Sequence, residues 1–145
     1  MKNIFKILWF IPFVGVMLFT ACSKDDGNDT PEPTVEELLT TGIWYFESQT
    51  FTTLDACDKH TNLRLLTNGN FVQELYNDAG GTCDVSATIA GTFVLVSDDT
   101  FILSYGTTTV QYTIITVSED ELILQFDGGG DTPITAVLDK NPGDD

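Results

Sequence analysis

Apolar residues along this chain fall into three regimes. From Ile7 to Phe19 they form a run of 13 residues without a charge, interrupted only by Pro12 and Gly15. A membrane-spanning helix needs ~20 apolar residues, so this run is too short for one. With Lys2 and Lys6 ahead of it and small Thr20 and Ala21 behind, it reads as the apolar core of a secretory signal peptide over residues 1–21. A second regime is brief. Thr34-Val35-Glu36-Glu37 has the spacing of a capping box, Leu38 and Leu39 give one apolar side, and Gly42 supplies a stop, which predicts a short helix. After Gly42 the period becomes two. Thr, Val, Ile, Phe and Tyr dominate, cut by turn residues. The predicted strands are Ile43–Thr53, Asn62–Leu66, Asn70–Tyr76, Val85–Val96, Thr100–Tyr105, Thr108–Val117, Glu121–Phe126 and Ile134–Leu138. Phe101, Leu103 and Tyr105 share one face, as do Leu122, Leu124 and Phe126, and Ile134, Ala136 and Leu138. Asn68-Gly69 suits a type I′ hairpin turn. Ser97-Asp98-Asp99, Gly106-Thr107 and Ser118-Glu119-Asp120 mark further tight turns, and Asp127–Asp131 a looser loop. Short joins imply antiparallel neighbours. The predicted fold is therefore all-β, an eight-stranded antiparallel up-and-down barrel preceded by a short N-terminal helix. An open two-sheet sandwich fits less well, because it needs longer crossovers.

Charge and cysteines refine this picture. The formal net charge is −16. Cleavage before Cys22 would remove Lys2 and Lys6, leaving four basic residues against all 22 acidic ones, a net charge of −18. Such a chain repels phosphate backbones, so no nucleic-acid partner is expected. Three cysteines are an odd number, which in an exported protein calls for an explanation. Lipid modification would account for Cys22, leaving Cys57 and Cys83 to pair in an oxidising compartment. Two free core thiols are the alternative. Residues 22–33, rich in Asp, Gly, Asn, Pro and Thr, read as a disordered tether. Residues 34–139 are the barrel domain and 140–145 an acidic tail.

Leu18-Phe19-Thr20-Ala21-Cys22 resembles the lipobox of bacterial lipoproteins, with Phe19 where leucine is most frequent. The resemblance implies acylation of Cys22, hence attachment to a membrane through a lipid anchor. Stable anchoring takes more than one acyl chain. Ser23-Lys24-Asp25-Asp26 is similar to the Bacteroidota signal that sends lipoproteins to the outer face of the outer membrane, which implies an export role for Lys24, Asp25 and Asp26. A solvated linker of the same composition is the plainer reading. Gly42-Ile43-Trp44 resembles the G-x-W signature of lipocalins. The order of motifs resembles the lipocalin-like lipoprotein domains of Bacteroidota: that signature, Cys57, Asn68-Gly69-Asn70-Phe71, Tyr76, Cys83, then Gly91-Thr92-Phe93. Many lipocalins cover the tryptophan with an arginine from the last strand. Here the only arginine, Arg64, lies in the second predicted strand.

Catalytic chemistry is thinly represented. Cys57-x-x-His60 has metal-like spacing but no second ligand pair, and a disulfide would remove Cys57 as a ligand. Asp98/Asp99 and Glu119/Asp120/Glu121 cluster in turns, where acids simply solvate the loop. Asp127-x-x-x-Asp131 lacks the ordered spacing of a calcium-binding EF-hand loop, and weak calcium binding stays open there. No enzyme activity, metal or cofactor is expected. Trp44, Phe46, Phe71, Phe93, Phe101, Tyr105, Tyr112 and Phe126 either line a cavity for a small hydrophobic ligand or fill the core. Two readings follow. One is a surface-exposed outer-membrane lipoprotein whose barrel binds a small hydrophobic ligand or a partner protein. The other is an accessory subunit of a cell-surface uptake complex with a filled barrel. A secreted hydrolase is a distant third.

Overall fold

Thr34 caps helix α1 (Val35–Thr40) in the predicted way: its hydroxyl accepts from the Glu37 backbone N–H, and the Glu37 carboxylate accepts from the Thr34 N–H at 2.8 Å. The computed structural model describes residues 31–143, so Cys22, Lys24, Asp25 and Asp26 and the signal peptide expected over residues 1–21 lie outside the described residues. Gly42, with φ +81, takes the left-handed conformation that turns the chain out of α1 and into the sheet.

The strands are β1 (Trp44–Gln49), β2 (Asn62–Leu65), β3 (Asn70–Asn77), β4 (Asp84–Ser97), β5 (Thr100–Tyr105), β6 (Thr108–Val117), β7 (Glu121–Phe126) and β8 (Ile134–Asp139). They pair antiparallel in chain order and close into a barrel through β1 and β8, with Phe46 opposite Leu138. Closure leaves no sheet edge for other chains to pair with.

Two expectations are corrected. The first strand does not run to Thr53. It ends at Gln49, and the chain reverses through Thr50 and Phe51 so that Gln49 bridges Thr52. Alternating Phe and Thr continue the strand-like composition past that turn, and composition does not report a change of φ. The hairpin at Asn68-Gly69 is not type I′, which needs positive φ at both central residues. Asn68 does not have one; Gly69 does, at +78. The Gly69 N–H donates to the Leu66 carbonyl at 3.0 Å, and the Leu66 N–H to the Asn70 carbonyl at 2.9 Å. The loop is thus three residues long, with glycine as its left-handed member.

The period of two sorts the residues. Leu63, Leu65, Phe71, Phe93, Phe101, Leu103, Ile114, Leu122, Leu124, Ala136 and Leu138 point inward and are buried, while Arg64, Thr92, Val94 and Gln111 on the same strands are exposed. Gly91 sits opposite Phe71 in the register of β3 and β4. A Cβ at Gly91 would collide with the Ser104 carbonyl and lie 2.8 Å from the Phe71 ring, so glycine is what allows that close approach.

Candidate ligand-binding cup

The two ends of the barrel differ. One is plugged. Leu39 of α1 and Trp44 of β1 are fully buried, and the Trp44 indole N–H donates to the Leu39 carbonyl at 2.9 Å, tying helix to sheet. The contact that Arg64 could not supply is made by Lys140, just beyond β8. Its ammonium lies 3.2 Å from the centroid of the Trp44 ring and donates to the Thr41 carbonyl. This is a cation–π contact that closes the end of the barrel. Lys140 therefore belongs to the packed domain, although it begins the segment read as an acidic tail. Arg64 is exposed on β2.

Above the plug, aromatic rings run across the interior. Phe93 meets Phe101 edge-on at 5.6 Å, Phe101 stacks on Tyr112 at 4.9 Å, and Tyr112 meets Phe126 at 5.1 Å. Beyond Tyr112 and Phe126 the filling stops. A cup of about 440 Å³ opens there, within the range of small-molecule sites. Phe46, Leu54, Leu75, Tyr112 and Phe126 give it apolar walls, and Gln49, Gln73, Tyr76, Asn77 and Ser86 give it hydrogen-bonding groups. Of the eight aromatics singled out in the sequence, Phe46, Tyr112 and Phe126 line the cup. Trp44, Phe71, Phe93 and Phe101 are buried in the core beneath it, and Tyr105 packs against that core. Burial pushes the Tyr112 phenol up to about 12, with Tyr105 adding to the rise, so the floor of the cup carries an uncharged hydroxyl at neutral pH.

One wall of the cup comes from the long β1–β2 connection, which contributes Thr52, Leu54, Asp58 and Thr61. No periodicity announces these residues, and the sequence reading missed them. The connection is held in three ways. Asp55 and Asp58 cap each other, the Asp58 N–H reaching Asp55 Oδ1 at 2.7 Å. Lys59 pairs with Glu47 of β1 at 3.2 Å. Cys57 and Cys83, with Cα atoms 5.3 Å apart, form a disulfide that staples the connection to the chain just before β4. The cysteine pairing expected from the odd count is thus present.

The other candidates are accounted for locally. His60 faces Tyr76 at 5.9 Å beside the disulfide. Asp127 accepts from the Gly129 N–H at 2.7 Å and so shapes its own loop. Asp99 accepts from the Ser97 and Thr100 hydroxyls, which hold its carboxyl below the usual range. Among the described residues, no three His, Cys, Asp or Glu side chains gather as a metal site. A polar depression of about 480 Å³ lies against Glu47, Asp139, Asn141, Pro142 and Gly143. It is slightly larger than the cup but lacks aromatic walls, so the cup is the better small-molecule site.

A family model described as a lipocalin-like domain matches residues 40–124. Among solved structures, the complex of bovine odorant binding protein with a selenium-containing odorant is similar over 79% of this chain and 76% of that one, at 15% identity and a TM-score of 0.46. No curated protein matches.

Proposed function

We propose, from the premise that this chain belongs to the lipocalin-like domain family, that it is a lipid-anchored surface protein that holds a small apolar molecule in the cup of its barrel. The observation that carries the reading is the cup itself: about 440 Å³ of space floored by Tyr112 and Phe126, in a barrel otherwise filled by its own side chains. Apolar walls supply affinity and the few polar groups supply orientation. The lipobox-like Leu18–Cys22 and the following Lys24-Asp25-Asp26 support anchoring at the outer face of an outer membrane.

The charge narrows the ligand class. Asp58 is the one acidic side chain in the cup lining, and no lysine or arginine accompanies it. With the acidic balance of the whole chain, this favours a neutral or cationic amphiphile over a fatty-acid anion. Titrating the purified protein with Nile red, a neutral apolar dye, should give a saturable rise in emission. Leu75→Arg, which places a long charged side chain on the cup wall, should abolish that rise. Hexadecanol and hexadecylamine should displace the dye several-fold better than palmitate. Absence of any saturable response would sink the ligand-binding reading.

The accessory-subunit reading draws on a different observation. Val94 and Val96 are more than half exposed on β4, and Val94 sits opposite Ile102 of β5 on the outer face. In that reading the outer wall, and not the cup, carries the function.

A further inference from the structure

Phe51 is the only non-glycine among the described residues with a positive φ, at +66. A bulky residue in this region is an outlier, because its Cβ crowds the backbone. The turn it occupies links Gln49 to Thr52, a place where Gly, Asn or Asp is the ordinary choice. The residue before Phe51 is tied to β8 by two hydrogen bonds with Thr135. The Thr50 N–H donates to the Thr135 carbonyl at 2.9 Å, and the Thr135 N–H donates to the Thr50 hydroxyl at 2.9 Å. Burial does not offset the strain. Phe51 is 77% exposed, the most exposed of the large apolar side chains among the described residues, and it is absent from the core cluster and from the residues packed on it.

Its position gives the strain a meaning. Gln49 and Thr52, on either side of the turn, both line the cup. Phe51 therefore stands on the rim, presenting an aromatic ring to water beside the opening. We infer that Phe51 is a ligand-contacting residue of the rim, whose ring folds onto an apolar molecule seated in the cup and so selects ligands long enough to reach the opening. The inference rests on the small-molecule reading of the cup. In that state the ring gains the burial that it lacks in the free protein, and an observed backbone outlier at a functional edge is accounted for.

Glycine at this position removes both the ring and the strain, so Phe51→Gly should melt at or above the wild-type temperature. Its Nile red dissociation constant should rise about tenfold, the order of a lost apolar ring contact. Phe51→Asn, which tolerates the left-handed region without glycine's flexibility, should weaken binding by a similar factor. Phe51→Trp should keep near wild-type affinity. Its added indole should be readily quenched by acrylamide in the free protein and several-fold protected at saturating dye, against the constant background of buried Trp44. Saturable binding that Leu75→Arg abolishes while Phe51→Gly and Phe51→Asn leave it unchanged would overturn the rim assignment and keep the cup. Weakening in Phe51→Gly alone would also overturn it, since flexibility would then be the cause. No saturable binding in the wild type would overturn the cup and the rim contact together.

Discussion

Trp44 and Lys140 show how a single pair closes one end of the barrel, and their contact responds to pH. Burial brings the Lys140 ammonium down from the ordinary 10.5 to about 8, against the pull of Asp120, which acts to raise it. Between those two values the unfolded chain binds a proton that the folded chain has released, so stability should rise with pH across about 8 to 10.5. Thermal melts over that window should show the rise, and Lys140→Met should remove it. Gly91 supplies a second residue-scale test. Gly91→Ala places a methyl group against the Ser104 carbonyl and the Phe71 ring and should destabilise the domain by ~1–3 kcal/mol, measurable by urea unfolding. Both glycine and tryptophan stood out in the sequence as motif members, but the reason for each is a contact. Lys140 did not stand out, because its partner Thr41 is 99 residues away and a lone lysine near a chain end looks like solvated charge.

At the scale of elements, the strand regions were legible because inward and outward positions alternate and the joins are short. β5, β6 and β7 fall on their predicted bounds. The β1–β2 connection was opaque. It has no period, and apart from the local Asp55–Asp58 cap its shape comes from a disulfide and an ion pair that are made only once distant strands come together. That connection is also a wall of the cup, so the staple should matter twice. Replacing Cys57 and Cys83 together by serine should cost ~2–5 kcal/mol of folding free energy. In the still-folded protein it should speed Nile red release, because Leu54 and Thr52 would no longer be held at the mouth. Stopped-flow displacement at a temperature well below melting separates the two effects. An unchanged release rate would show that the connection keeps its place without the disulfide.

For the whole molecule, the barrel could be read from the sequence but its partial filling could not. Phe101 fills the core and Phe126 lines the cup, yet both are phenylalanines on the inward face of short strands. Which of them meets empty space depends on strand tilt and on the plug at Trp44, neither of which leaves a local signature. Location is a separate property, which the proposed reading assigns to residues ahead of the domain. Given the proposed lipid anchor at Cys22, Cys22→Ala should move the protein from the detergent phase to the aqueous phase on phase partitioning, since acyl chains would dominate its membrane affinity. Replacing Lys24, Asp25 and Asp26 by alanine should leave partitioning intact while reducing digestion by protease added to whole cells. The order of strands carries one more consequence, for kinetics. Every pairing but one joins neighbours in the chain, and the exception is the seam of β1 with β8. Hairpins close small loops at little entropic cost, whereas the seam must wait for a loop spanning nearly the whole domain. Folding should therefore proceed as a zipper of hairpins that curls before it closes. The seam, with the adjoining Trp44 plug, would be the last part to lock and the first to part when the protein unfolds.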